Sequence, residues 1–220
     1  MLVLQSANTA KSEMNRNHCI ERRECMKKIL ITAFEPFGGR TVNTSTLVLE
    51  KLPDTIAGCR TEKALLPVVF GYAAKKALEY EADCIFLLGE ADGRSVVTPE
   101  LQGRNIRDAR IADNAGNMLC GETILPGRLE EVPCRFPVQQ IVKRMQAEGY
   151  EVSVSEDAGS FVCNDTFYLV NTWSPVPVSF IHVPADPEKA EEFSGIVGRF
   201  IEYCISCIQK QGSFDVYGAR

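Results

Sequence analysis

Residues 28–52 read KILITAFEPFGGRTVNTSTLVLEKL, and three changes of character within them set the architecture. The run from Ile29 to Ala33 is short, apolar and β-branched, which predicts a buried strand. Phe34-Glu35-Pro36-Phe37-Gly38-Gly39 then interrupts it with proline and paired glycines, which predicts a loop. Asn43-Thr44-Ser45-Thr46 offers side chains able to cap a helix N-terminus, ahead of an apolar stretch through Leu52. Strand, glycine loop and helix in that order begin a β/α alternation.

The alternation continues along the chain. A strand is expected over residues 62–69, a helix over 71–80 and a buried strand over 84–88. Val138, Ile141, Val142 and Met145 recur at i, i+3, i+4 and i+7, the signature of an amphipathic helix, and a strand is expected over 152–155. A helix beginning near Cys163 and running to about Asn171 follows, then a strand over 178–183. The last element is a long helix with Phe193, Ile196, Val197, Phe200, Ile201, Cys204, Ile205 and Ile208 on one stripe. The expected fold is therefore a single α/β domain with a mostly parallel twisted sheet and helices on both faces. Residues 98–135 lack periodicity and are rich in turn formers, so an antiparallel excursion is expected there. Residues 1–26 are polar and patternless, an N-terminal extension with Met26 as an alternative start, which leaves the domain at 27–220.

Composition excludes several classes of function. In 220 residues, 45% hydrophobic and 24% charged, there is enough apolar material for one core and no bias toward disorder. A net charge of -5 without a Lys/Arg cluster argues against nucleic acid and anionic membranes as partners. No stretch is long enough to span a bilayer, and Leu2-Val3-Leu4 is too short for a secretory signal, so a cytoplasmic protein is expected. Nine cysteines at irregular spacing suit free thiols in a reducing compartment better than a disulfide framework. Cys204-Ile205-Ser206-Cys207 has a C-x-x-C spacing, but with no second pair and no neighbouring histidine it reads as helix packing, and no metal or other cofactor is expected.

What chemistry there is must be sparse. Of two histidines, His18 lies in the patternless extension, so histidine-dependent chemistry in the core falls to His182, near the carboxyl end of a strand and just before Pro184. Ligands of open α/β sheets bind at such ends. Cys163 stands where a helix begins, a position that favours thiolate and offers backbone N–H groups to an oxyanion. Glu100 lies downstream of the strand over 84–88 and could reach the same sheet rim, where it would orient an imidazole. Each has a plain structural alternative: a packed thiol, a hydrogen-bonded strand-end histidine, a surface carboxylate.

Taken together, four blocks in order resemble the pyroglutamyl peptidase I (pyrrolidone carboxyl peptidase) family of cysteine peptidases from Lys28 onward. They are residues 32–39, residues 89–105 around Thr98-Pro99-Glu100, residues 155–164 ending in Phe161-Val162-Cys163-Asn164, and Phe180-Ile181-His182-Val183-Pro184. The segment from Asp108 to Asn114 also looks like the family's. The resemblance implies a catalytic triad of Cys163, His182 and Glu100, with Arg110 near the oxyanion. It implies that Phe34, Phe37 and Phe161 wall a slot for a five-membered lactam whose polar edge meets Asn43 and the backbone near Glu90. Small peptides with a blocked N-terminus would be the substrates, and a homo-oligomer, dimer or tetramer, the assembly. The chain departs from the family by placing Glu90 and Asp92 where Gln and Gly are typical, by Leu101-Gln102-Gly103, and by a short connection from Cys163 to His182. Those departures keep two further readings open, a thiol amidase for another N-capped substrate and a catalytically silent binding protein.

Overall fold

The computed structural model describes residues 28–211, so the extension over 1–26, with His18, lies outside the described residues. Its first strand, β1 (Lys28–Phe34), sits mid-sheet, flanked by two parallel neighbours, β3 (Cys59–Leu66) and β4 (Cys84–Ala91). Strand β8 (Val178–Pro184) runs parallel to β4 on its far side. Two short antiparallel strands close the edges: β2 (Thr55–Ile56) against β3, and β5 (Thr98–Pro99) against β8. The order across the sheet is β2-β3-β1-β4-β8-β5. A separate antiparallel pair, β6 (Gln102–Arg104) with β7 (Glu131–Pro133), is the excursion expected within residues 98–135.

Strand alternation sorts side chains between two cores. Ile29, Ile31, Phe86, Leu88, Ile181 and Val183 face one layer of helices: α1 (Thr44–Lys51), α3 (Val138–Ala147) and α5 (Ala190–Gln211). Leu30, Phe34, Ile85, Leu87, Val178 and Phe180 face the other layer, α2 (Tyr72–Ala77) and α4 (Val162–Trp173). Burial on both faces explains why these strands read as continuous apolar runs rather than alternating ones. Each fully buried aliphatic contributes about 1.5–3 kcal/mol.

Local signals account for the helix ends. Asn43 Oδ1 accepts from the Ser45 N–H at 3.0 Å and caps α1, which stops at Leu52 before Pro53. The four periodic residues of α3 are all buried, and Gly149, at φ +91°, ends the turn beyond it. In α5 the predicted stripe is buried from Phe193 to Ile205, including the free thiol Cys204.

Several boundaries and one element differ from the sequence reading; β4 runs on to Ala91, and α2 is shorter than the helix expected over 71–80. Strand β3 starts at Cys59 and ends at Leu66, because Pro67 has no N–H to continue a ladder. Strand β8 continues past His182 to Pro184, paired with Ala91. Residues 152–155 are not a strand: they touch the main sheet through single bridges, Val152 to Val97 and Ser155 to Glu100. Pro99 stands in the opposing segment without a backbone donor, and only its carbonyl takes part, accepting from the Ser155 N–H at 3.0 Å.

Candidate active site

The site is assembled at the carboxyl ends of β4 and β8. His182 and Gly89 are partners in the parallel ladder between those strands, and Thr98 is the partner of His182 in β5. Along β8, Phe180 packs toward α4, and a period of two puts the His182 ring on that same side. The two rings lie 4.7 Å apart between centroids. Glu100 follows β5 directly, its N–H bonded to the Phe180 carbonyl at 2.9 Å, which delivers its side chain to the imidazole.

The contact is tight and dry. His182 Nδ1 donates to Glu100 Oε1 at 2.7 Å, with His182 3% and Glu100 0% exposed. A carboxylate there can only accept, so Nδ1 donates and Nε2 is left able to accept. Arg94 Nη1 approaches the same Glu100 oxygen at 2.8 Å, also contacts Thr98 Oγ1, and Nη2 donates to the Asp157 carbonyl at 2.9 Å. The second carboxylate oxygen, Oε2, is buried and makes no hydrogen bond.

Cys163 is the second residue of α4, within the first turn, where N–H groups lack intrahelical acceptors. Its sulfur lies directly over Gly89: a Cβ built on that glycine would meet Sγ at 2.9 Å and Phe180 Cζ at 2.8 Å. The glycine is what lets helix and strand come close enough to set sulfur beside the histidine strand. Although Cys163 keeps partial solvent access, its thiol is not poised as the helix N-terminus suggested. Desolvation first, then the charges of Glu100 and Glu90, push it up to about 12 against the opposing pull of Arg94. Burial and the two carboxylates thus act against the thiolate that a helix N-terminus favours.

Beside the sulfur lies a small, partly open cleft. Phe34, Phe37, Asn43, Glu90 and Phe161 line it, together with Val68 and Val162. Phe37 and Phe161 are 5.8 Å apart between centroids. Asn43 serves both as helix cap and as cleft wall, its Nδ2 donating to the Glu35 carbonyl at 3.1 Å. Glu90 is buried with both oxygens engaged, Oε2 accepting from the Thr44 N–H at 2.6 Å and Oε1 from Arg40 at 2.6 Å. Its charge therefore rests on the N-terminus of α1 and on a guanidinium.

Arg110 stands apart from this cluster. It is exposed, in a strap that crosses the cleft loop, where Asn114 Nδ2 donates to the Pro36 carbonyl at 3.0 Å and the Asn114 N–H to the Val68 carbonyl at 2.9 Å. Among the described residues no hydrogen bond or ion pair joins Arg110 to the triad; the arginine on Glu100 is Arg94. Arg94 and Gly89 were the residues missed in the sequence. Glycine inside an apolar strand is a signal of close approach, whereas nothing in the spacing aimed Arg94 at Glu100.

Comparison with known proteins identifies the family. The sequence model of the family described as pyroglutamyl peptidase matches residues 27–198. The pyrrolidone-carboxylate peptidase of Staphylococcus saprophyticus is 36% identical over 174 residues, covering 75% of this chain and 82% of its own. That of Gloeobacter violaceus is 37% identical over 177 residues, covering 76% and 86%. Among solved structures, a mutant pyrrolidone carboxyl peptidase from Pyrococcus furiosus superposes with a TM-score of 0.75 at 30% identity, over 82% of this chain and 99% of that one. The Thermus thermophilus pyrrolidone carboxyl peptidase gives 0.72 at 34% identity, over 80% and 98%. Fold, sequence and the order of the functional segments lead to one statement: the chain belongs to the pyroglutamyl peptidase family.

Proposed function

We propose that the protein hydrolyses the peptide bond after an N-terminal 5-oxoproline, with Cys163 as nucleophile, His182 as base and acid, and Glu100 as the group that orients the imidazole. The observation that carries this reading is the sulfur over Gly89, the ladder partner of His182, at the end of a small phenylalanine-walled cleft. A blocked N-terminus has no ammonium for a carboxylate to anchor, so recognition falls to shape and to the lactam edge, for which Asn43 and the backbone near Glu90 are the candidates.

In this scheme the thiol proton passes to His182 Nε2 as sulfur attacks the pyroglutamyl carbonyl, forming the S–C bond. The first-turn N–H groups of α4 stabilise the tetrahedral oxyanion. The C–N bond breaks, the amine leaves with the proton from Nε2, and a thioester remains. Water, deprotonated by His182, adds to the thioester; pyroglutamate departs and the thiol is restored. With burial and two carboxylates acting against the thiolate, proton transfer to His182 accompanies the attack in this scheme. Arg110, exposed on the strap, fits a contact with the departing peptide better than one with the oxyanion.

Neither a silent homologue nor a different capped substrate is favoured by the family match. No helix among the described residues is long and apolar enough to cross a membrane. We also infer residence in the cytoplasm and assembly as a dimer or tetramer; free thiols at Cys84, Cys120, Cys134 and Cys204 are in keeping with a reducing compartment. A pyroglutamyl-aminocoumarin reporter tests the activity: wild type should release fluorophore and Cys163→Ala should not. Equal turnover by both proteins would remove Cys163 from the mechanism.

A further inference from the structure

Two residues beyond the nucleophile, Asp165 is a carboxylate with no solvent exposure and no part in the chemistry above. Arg107 approaches its Oδ1 with both Nε and Nη2 at 2.6 Å, and the Gly71 N–H donates to Oδ2 at 2.6 Å. Gly71 has φ +69° and follows Phe70 directly. The Arg107 guanidinium lies 5.9 Å from the centre of the Phe70 ring, which meets Phe161 edge-on at 5.4 Å and 85°. Asp113 Oδ2 accepts from the Phe70 N–H at 3.1 Å. One helix turn thus carries the nucleophile, a wall of the cleft and the carboxylate that holds the ring behind that wall.

We propose that Arg107 and Asp165 are positioning residues that fix the Phe70–Phe161 corner of the cleft and so set affinity for the small ring. The proposal deepens the reading of the preceding subsection and rests on it. A buried ion pair is a weak source of net stability, because desolvation offsets most of its attraction, and an apolar pair of the same volume does as well. Its geometry is specific, though: the flat fork of arginine fills two roles at once, gripping Asp165 and covering the face of Phe70, which a lysine cannot do. Desolvation pushes the Asp165 carboxyl upward, and the Gly71 N–H and Arg107 pull it back. Phe70 itself does not line the cleft; it stops Phe161 from swinging outward and widening it.

The test uses the full chain carrying Arg107→Met and Asp165→Asn together, so that no lone charge is left buried, and the single variant Arg107→Lys. Three quantities are read: KM and kcat on the pyroglutamyl reporter, the rate of Cys163 alkylation by iodoacetamide, and the protection against alkylation given by 2-pyrrolidinone. Loss of the cation–π cover and of a fixed edge-to-face pair should raise KM and the protection constant together by about tenfold in the double variant, with kcat within about threefold of wild type. Arg107→Lys, which keeps the charge but not the fork, should show the same split at about threefold. Unliganded alkylation should be unchanged in both. Wild-type KM and protection in either folded variant overturns the proposal, as does a fall in kcat at constant KM. If wild type itself neither cleaves the reporter nor is protected by 2-pyrrolidinone, the peptidase reading fails and this inference falls with it; if wild type passes and the variants match it, only the positioning role fails.

Discussion

Arg94 and His182 meet on one oxygen of Glu100, at 2.8 Å and 2.7 Å. The shared oxygen means that the group beside the imidazole is itself held by a cation, and among the described residues the same cation draws the Cys163 thiol downward. Arg94→Gln should therefore weaken both ends of the dyad. We expect kcat/KM on the reporter to fall by about 10- to 100-fold, the scale of a small misplacement at a reacting centre. Thiol alkylation should move to higher pH in the same variant. An unchanged pH profile would separate Arg94 from the sulfur.

Gly89→Ala tests the close approach of helix and strand. A methyl group 2.9 Å from Sγ and 2.8 Å from the Phe180 ring must displace one of them. Overpacking of this kind costs about 1–3 kcal/mol, so the variant should fold with a lowered Tm. Activity should nevertheless drop by at least about 100-fold, since the displacement falls on the nucleophile. A variant with normal Tm and normal turnover would show that the contact yields freely.

The raised thiol sets the pH dependence of modification. With Cys163 at about 12, iodoacetamide labelling of the unliganded protein should keep rising beyond pH 9 and show no plateau near neutrality. Glu90 is one of the charges that push the thiol up, so Glu90→Gln should shift the profile toward lower pH. A plateau below pH 8 in wild type would mean a resting ion pair with His182.

Alkaline stability follows from the other buried thiols. Cys84 and Cys204 are fully buried and both held well above their ordinary value, chiefly by desolvation. Their folded value exceeds the unfolded one near 9, so their contribution is complete below that pH and is lost as pH rises toward the folded value. Each thiol adds a slope of up to about 1.4 kcal/mol per pH unit in that window. Thermal melts at pH 8, 9, 10 and 11 should show Tm falling, and falling less steeply in Cys84→Ala/Cys204→Ala, even though cavities lower its Tm at pH 8. Parallel curves would assign the alkaline loss to other groups.

Much of this was legible in the chain because the decisive cues were local or scarce. Asn43 announced its cap by residue type, and the stripe of α5 announced its buried face by spacing. A single histidine in the patterned region left little choice of base. The missing parts are those that depend on what the fold brings near: the reach of Arg94, the ring of Phe70 behind Phe161, and the burial that raises the Cys163 thiol. Residues 152–155 misled because Val152 and Val154 alternate with serines as in a strand, until a proline is found opposite them.

The order of strands across the sheet has a consequence for synthesis. Strand β8 is the last made, yet it belongs between β4 and β5, and it carries the imidazole. While a ribosome is still translating residues before 178, the emerging chain holds Cys163 and Glu100 but no core histidine and no continuous sheet. On the proposed assignment of His182 as base, hydrolytic competence thus arrives only once β8 has slotted between β4 and β5.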